Sequence, residues 1–414
     1  MTGYRELAHN RDFTVLWIGE TLSELGSAMS TFVFPLLAYH LTHSTVRAAL
    51  VPAAYYVALG AILLPAGVLA DRVDRRRLML ASRAAGAVLY GSLVVAGVAG
   101  HIGMVQLIVV ALGTGLTAGV FGPAQSSAVR SVVSHEQLPT AMSQNLARAH
   151  VASLLGGPLG GLLYAATRWL PFVADAASYL ISYAAITTIR TDLSARETSR
   201  ETIRSQLVGG LRFIWARPFF RVLLTWAALA NLLGNAIFFV VLLRLIQADY
   251  HPAQIGLVET AVGFGGILGA IAAPAIIHHT RTGWLTIGVA WMIGIPLLPL
   301  VWFSTPAAAC VCIFAMMLLN PAGNAGIGAY RAAVTPAELQ GRVASANQFL
   351  VMSLMPLAPV LGGLLLRHLG GGEAILVLVA GTAVIAGYLT LCRSIREVPR
   401  PEQWAIEQTA VAVR

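Results

Sequence analysis

Apolar residues along this chain come in long runs, and the polar residues gather in short clusters between them. The runs are about twenty residues or more, the length a helix needs to cross the hydrocarbon core of a bilayer. They place helices at 14–39, 47–70, 78–99, 103–127, 141–165, 170–189, 219–246, 254–279, 283–303, 307–329, 343–366 and 373–392, twelve spans in all. Charge, glycine or proline marks the boundaries. Lipid offers the backbone no hydrogen-bond partners, so only helices and closed barrels can cross it. The alternating segments a barrel requires are missing from the pattern. The prediction is an all-α membrane protein.

Composition agrees. Of 414 residues, 57% are hydrophobic and 11% charged, with a mean hydropathy of +0.74. A soluble chain carries roughly a quarter charged residues. The first run carries Glu20 and Glu24 and is too long and too polar for a signal-peptide core, so it reads as a retained span. Cys310, Cys312 and Cys392 all fall in apolar runs, and no CxxC or cysteine–histidine spacing occurs. Neither a disulfide framework nor a metal site is expected.

Charge changes the picture by giving it a direction. Every basic residue besides the histidines is arginine, 27 in number, and 21 of them lie in the tails and even-numbered loops. Positive residues stay on the cytoplasmic side, so both termini are expected inside. The formal net charge of +9 is then a topology signal, and nucleic acid is not an expected partner. The longest polar stretch, 190–217, separates span six from span seven. The expected organisation is a six-helix half over 1–190, a cytoplasmic linker over 191–218, a second six-helix half over 219–393 and a tail over 394–414. "IRSQLVGGLRFIW" in the linker reads either as a surface helix or as an ordered connection. "AVRSVVSHEQL" at 128–138 returns as "AYRAAVTPAEL" at 329–339, after the fourth and the tenth span. A parallel repeat of six spans is a transporter architecture with the substrate path between halves.

Between spans two and three, "GVLADRVDRRR" packs six charges into the seven positions 71–77. Four arginines in a short loop already anchor topology. The spacing of Gly67, Asp71, Arg72, Arg75 and Arg77 also resembles the loop signature of the major facilitator superfamily, G-x-x-x-D-R/K-x-G-R/K-x-R/K, with Asp74 where the family has a second glycine. The resemblance implies a cytoplasmic gate built on Gly67, Asp71, Arg72 and Arg75. In it Gly67 would allow close helix approach, and the arginines would pair with Asp71 or with carboxylates of the other half. "GGPLGG" at 156–161 is similar to the antiporter motif of the family's exporters through Gly157, Pro158, Gly160 and Gly161. The stretches 121–190, 210–218 and 341–350 resemble the subgroup of macrolide, multidrug and siderophore exporters.

Ionisable residues inside spans are costly and mark function. Glu20 and Glu24 share one face of the first helix. Two carboxylates one turn apart disfavour joint ionisation, which suits one of them to carry a proton. Arg148 in span five either pairs with one of them or reaches back to the cytoplasm. Arg83 reads as snorkelling, and Asp175 as a cap or pair near the outer surface. Glu259 is the candidate of the second half. Tyr56, Asn231, Asn235, Asn320 and Asn324 are weak cavity candidates, since such groups more often bond between helices.

No Walker loop, serine elbow or HExxH occurs, and "GFGGILG" at 263–269 lies inside a span with no strand before it. The expectation is a monomeric, non-enzymatic exporter of small amphipathic drugs or natural products in a bacterial inner membrane. Its partners would be its substrate, protons and lipid, with no cofactor and no ATP. A dedicated exporter of one metabolite or siderophore is the alternative, ahead of a facilitator importer or a non-transporting sensor.

Overall fold

The computed structural model describes residues 7, 9–134, 136–194 and 203–404; at 64, 68, 70, 71, 146, 203–207, 337 and 338 it describes the backbone alone. The described chain is helical, with no strand among the described residues. Six long helices come first: α1 Arg11–Thr42, α2 Thr45–Arg72, α3 Arg75–Val98, α4 Met104–Val132, α5 Leu138–Ala166 and α6 Leu170–Thr187. The linker carries α7, Ile203–Ala216. There follow α8 Pro218–Gln247, α9 Pro252–His279, α10 Thr282–Met292, α11 Pro306–Met317, α12 Asn320–Ala333, α13 Ala337–Ser353, α14 Leu357–His368 and α15 Gly371–Leu391.

Among the described residues eleven stretches are long and apolar enough to cross a membrane, and α1, with Arg11, Asp12, Glu20 and Glu24, stands outside that count. Three expected spans are broken, each at proline. After α10 the chain tightens into a 3-10 segment, Ile295–Val301, that contains Pro296 and Pro299. The helix is interrupted between α11 and α12 just before Pro321, and between α13 and α14 at Pro356. Proline removes a donor and disfavours helix at the residue before it.

Polar side chains begin the helices. Asn10 caps α1, accepting from the Phe13 N–H at 3.1 Å while its own Nδ2 donates to the Val132 carbonyl at the end of α4 (2.9 Å). Asp74 caps α3, accepting from the backbone N–H of Arg76 (2.8 Å) and Arg77 (3.2 Å). Its φ of −51° shows that this turn needs no left-handed residue, which is why aspartate can stand where the family pattern has glycine.

The described residues form two compact units: those within Met1–Arg200 with Ile246–Thr260, and those within Glu201–Leu245 with Ala261–Arg414. In the first, Phe13, Leu16, Met79, Phe121, Ile186 and Leu193 belong to a buried apolar core. In the second, Trp226, Ile287, Tyr330, Leu389 and Ile395 belong to another, and the stretch after α15 is tied to α10 by Thr282 N–H to Pro399 O (3.3 Å). The linker helix α7 buries Phe213 and Ile214 against Phe220, Leu224, Val343 and Ala346 of this second unit. Outward-facing Val88, Val95, Val105, Ile271, Val384 and Leu391 are all more than two-thirds exposed, as lipid contact requires. The internal repeat has a structural counterpart, since Arg130 and Arg331 each occupy the last turn of their helix, α4 and α12.

Candidate functional site

Helix α1 carries Glu20, Glu24, Ser27 and Thr31 at steps of four, three and four, with Ser23 one turn before Ser27, so they form one stripe. The stripe faces a cavity of about 250 Å³ in the first unit, whose lining includes Tyr55, Ser82, Arg83, Thr117, Gln125, Arg148 and Tyr179. Two ion pairs stand in its wall. Arg148 Nε donates to Glu24 Oε2 at 2.6 Å, with the Glu24 side chain 36% exposed and that of Arg148 7%. Arg83 Nη2 donates to Glu20 Oε2, and Ser182 Oγ to Glu20 Oε1 at 2.7 Å. The Arg83 guanidinium also lies 3.6 Å from the centroid of the Phe121 ring and 5.0 Å from that of Tyr179.

These pairings revise two expectations. Arg83 does not snorkel; it is buried against Glu20. Glu20 and Glu24, expected to act on each other, are each paired with a guanidinium of their own. Arg148 takes the first of its two readings and pairs with a carboxylate of the first span. The difference between the pairs is access: Glu20–Arg83 is sealed, while Glu24 reaches the cavity.

Asp175 overturns a third expectation. It is not at the outer surface; it is fully buried on α6. On the same face of α6 follow Ser178, Tyr179 and Ser182. That spacing, with Ser23, Ser27 and Ser30 on α1, is the signal in the sequence that points to this buried polar seam.

The other candidates fall into separate places. Tyr55 lines the cavity, and Tyr56 stacks edge-on against it with ring centroids 5.4 Å apart. Asn231 and Asn235 donate to backbone carbonyls one turn back in α8, at 2.9 and 2.8 Å. Asn324 Nδ2 donates to Asn320 Oδ1 at 2.7 Å. None of these four asparagines lines the first unit's cavity.

At the gate loop, the Asp71 side chain lies outside the described residues, and Arg72 is exposed. Among the described residues nothing lies within 4 Å of a Cβ built at Gly67. Arg75 and Arg76 bind backbone carbonyls, Arg75 Nη1 that of Ser194 (3.2 Å) and Arg76 Nη2 those of Ile189 and Thr191. Asp12 holds the same segment from α1, accepting from Thr191 N–H (2.8 Å), Thr191 Oγ1 (2.7 Å) and Arg190 N–H (3.0 Å). Partial burial pushes the Asp12 carboxyl up; these bonds and nearby Arg11 outweigh it and hold the group below its ordinary value.

The glycines of 156–161 are divided between two neighbours. A Cβ at Gly160 would come within 2.9 Å of the Met29 carbonyl on α1, and Gly156 faces Ala28 there. A Cβ at Gly157 would come within 2.6 Å of the Gly256 carbonyl and 2.8 Å of Glu259 Oε2 on α9, and one at Gly161 within 2.8 Å of Ala253 Cα. Pro158 has no N–H to give the Leu154 carbonyl four residues back. Thr260 Oγ1 donates to that carbonyl at 2.9 Å. Glu259 forms no ion pair among the described residues.

With polar residues inside a bundle of apolar helices and a glycine–proline helix against α9, the fold can be set beside known proteins. A family model, Major Facilitator Superfamily, matches residues 16–359. The chain belongs to the major facilitator superfamily. It is 26% identical over 363 residues to the multidrug efflux pump Tap of Mycolicibacterium fortuitum, across 82% of this chain and 85% of that protein. It is 24% identical over 310 residues to the enterobactin exporter EntS of Salmonella typhimurium, across 73% of each. A bacterial homologue of the iron transporter ferroportin, in its inward-facing state, superposes at a TM-score of 0.70 with 15% identity, over 92% of this chain and 98% of that one. A bacterial homologue of the human lysosomal transporter Spinster gives 0.70 with 14% identity, over 94% and 98%. Those likenesses show the major facilitator fold.

Proposed function

We propose that this major facilitator protein exports a small amphipathic compound across a bacterial inner membrane, by alternating access and in exchange for protons. The observation that carries the reading is the Glu24–Arg148 pair standing in the wall of a polar cavity, with the carboxylate open to it. A cationic substrate entering the cavity competes with Arg148 for Glu24, and a proton on Glu24 ends that competition. Substrate and proton therefore exclude each other at one carboxylate, which is the minimum an antiporter requires. The similarity to proteins named as a multidrug efflux pump and an enterobactin exporter supports the outward direction. Both termini lie in the cytoplasm in this reading, the transporter works as a monomer, and no covalent conversion takes place.

The similarity to an exporter of one compound favours a second reading, a dedicated exporter of a single metabolite or siderophore. In that case an acidic substrate engages Arg148.

The test is accumulation in inverted membrane vesicles under an imposed pH gradient, over a panel of lipophilic cations, macrolides and siderophores, with wild type beside Glu24→Gln. Uptake of several compounds that collapses with the gradient and with the substitution is the expected result. Uptake of one compound selects the dedicated exporter. Uptake indifferent to the pH gradient rules out proton antiport, and no uptake by folded protein rules out transport.

A further inference from the structure

Charge accounting among the described side chains buried inside the first six helices leaves one carboxyl over. Glu20 has Arg83 and Glu24 has Arg148, while Asp175 has no ion pair. It is 0% exposed, and its Oδ1 accepts from Ser27 Oγ at 3.4 Å and Ser178 Oγ at 3.3 Å; its Oδ2 makes no hydrogen bond among the described residues, with the Ser30 and Tyr90 hydroxyls beside the carboxyl. The carboxyl is seated against bare backbone, since a Cβ at Gly26 would lie 2.7 Å from Oδ1. Tyr90, which stands beside the carboxyl, forms a ring cluster with Phe34 and Phe172, centroids within 6.3 Å of one another. An ionised carboxylate so enclosed, with one oxygen unsatisfied, is expensive; a protonated one is not.

The group is nonetheless connected. Ser27 Oγ, within reach of Asp175, also lies 3.3 Å from the Tyr179 hydroxyl, and Ser27 and Tyr179 line the polar cavity. The titratable and charged groups around it are Arg83 and Tyr90 from α3, Tyr55 from α2, Tyr179 from α6 and, beyond Arg83, Glu20 of α1; across the cavity stand Glu24 and Arg148. Those that α4 contributes to the cavity are uncharged.

We propose that Asp175 is the proton-exchanging acid of the first six helices, reached from the cavity through the hydroxyls of Ser27 and Tyr179. It rests on the antiport reading and adds to it a site separate from Glu24. In the forward step the Asp175 O–H bond breaks, the electron pair stays on the carboxylate, Ser27 accepts the proton and passes its own to water in the cavity. Arg83, the buried guanidinium nearest by, meets the new negative charge. The reverse step reloads the acid. Asp175 then supplies and reclaims the proton that competes with substrate at Glu24, with Tyr179, Arg83 and Glu20 as the link between them.

The experiment is an infrared titration of the purified full-length protein in lipid, which needs no transported compound. Asp175 is the only one of six aspartates inside a predicted span, so labelling aspartate carboxyl carbons with ¹³C isolates it. The expected result is a protonated-carboxyl band that shifts with the label, disappears reversibly as pH rises and is absent from Asp175→Asn. A label-sensitive band that survives in Asp175→Asn, or no such band in wild type, overturns the proposal. Where Asp175→Asn does not fold, the wild-type label experiment decides alone. Substrate-evoked proton release, with ethidium as the probe, separates the two readings. A titrating Asp175 band beside ethidium transport without proton release overturns antiport, while proton release that Asp175→Asn leaves intact overturns the assignment to Asp175.

Discussion

At the scale of single residues, the first six helices turn on how each buried charge is compensated. Arg83 is closed off by Glu20 and two aromatic rings, so its removal leaves Glu20 buried and unpaired. Breaking a buried pair from one side costs about 3–5 kcal/mol. Arg83→Ala is expected to lower the unfolding temperature in detergent sharply, and the double variant with Glu20→Ala to recover part of the loss. Full additivity of the two would show that the pair is not coupled. Asp12 gives the pH dependence. Its folded-state carboxyl titrates below its ordinary value, so its contribution is complete above the unfolded carboxylate's pKa of about 3.9 and fades as pH falls through the folded value. Thermal stability of wild type should therefore decline in acid more steeply than that of Asp12→Asn.

At the scale of elements, the 156–161 motif acts as a two-sided stripe. Gly156 and Gly160 admit α1, while Gly157 and Gly161 admit α9. The proline between them frees a carbonyl, and Thr260 fills the vacancy. Thr260→Val removes the donor but keeps the shape, and should cost about 1 kcal/mol, since the carbonyl left without its partner is half-buried. Thr260→Ser should restore stability, as denaturation in detergent would register. Had α5 needed only a kink, valine would be neutral. The loop between α2 and α3 makes a different point. Its arginines secure the carbonyls after α6, so within this unit the charge cluster braces the helix ends, and Asp74 starts α3 in place of a glycine turn.

At the scale of the whole molecule, the arginine bias argues for the direction of insertion. Twenty-one of 27 arginines fall in the tails and even-numbered loops. Reporter fusions should read accordingly: a fusion after residue 194 fluoresces as a cytoplasmic green fluorescent protein, and one at Arg168 is active as a periplasmic phosphatase. The opposite pattern would invert the proposed direction of transport. At this scale the expected halves and linker remain a sequence-based proposal. Compactness groups Ile246–Thr260 with the first six helices, through the glycine contacts of α5 and the Thr260 bond.

What the sequence settled by itself follows from the solvent. Lipid demands that each helix be long, apolar and internally hydrogen-bonded, whatever its neighbours are. Helix positions and the family motifs were therefore legible one segment at a time, while the breaks at proline inside three spans emerged only in the structure. Which face of a helix looks inward was not, because a helix apolar on all sides carries little trace of its orientation. Arg83 finds Glu20 across 63 residues, Arg148 finds Glu24 across 124, and Ser27 finds Asp175 across 148. Rotation and packing of whole helices decided those meetings. They separate a sealed ion pair from an open one, and turn an aspartate expected near the surface into a fully enclosed acid of the first six helices.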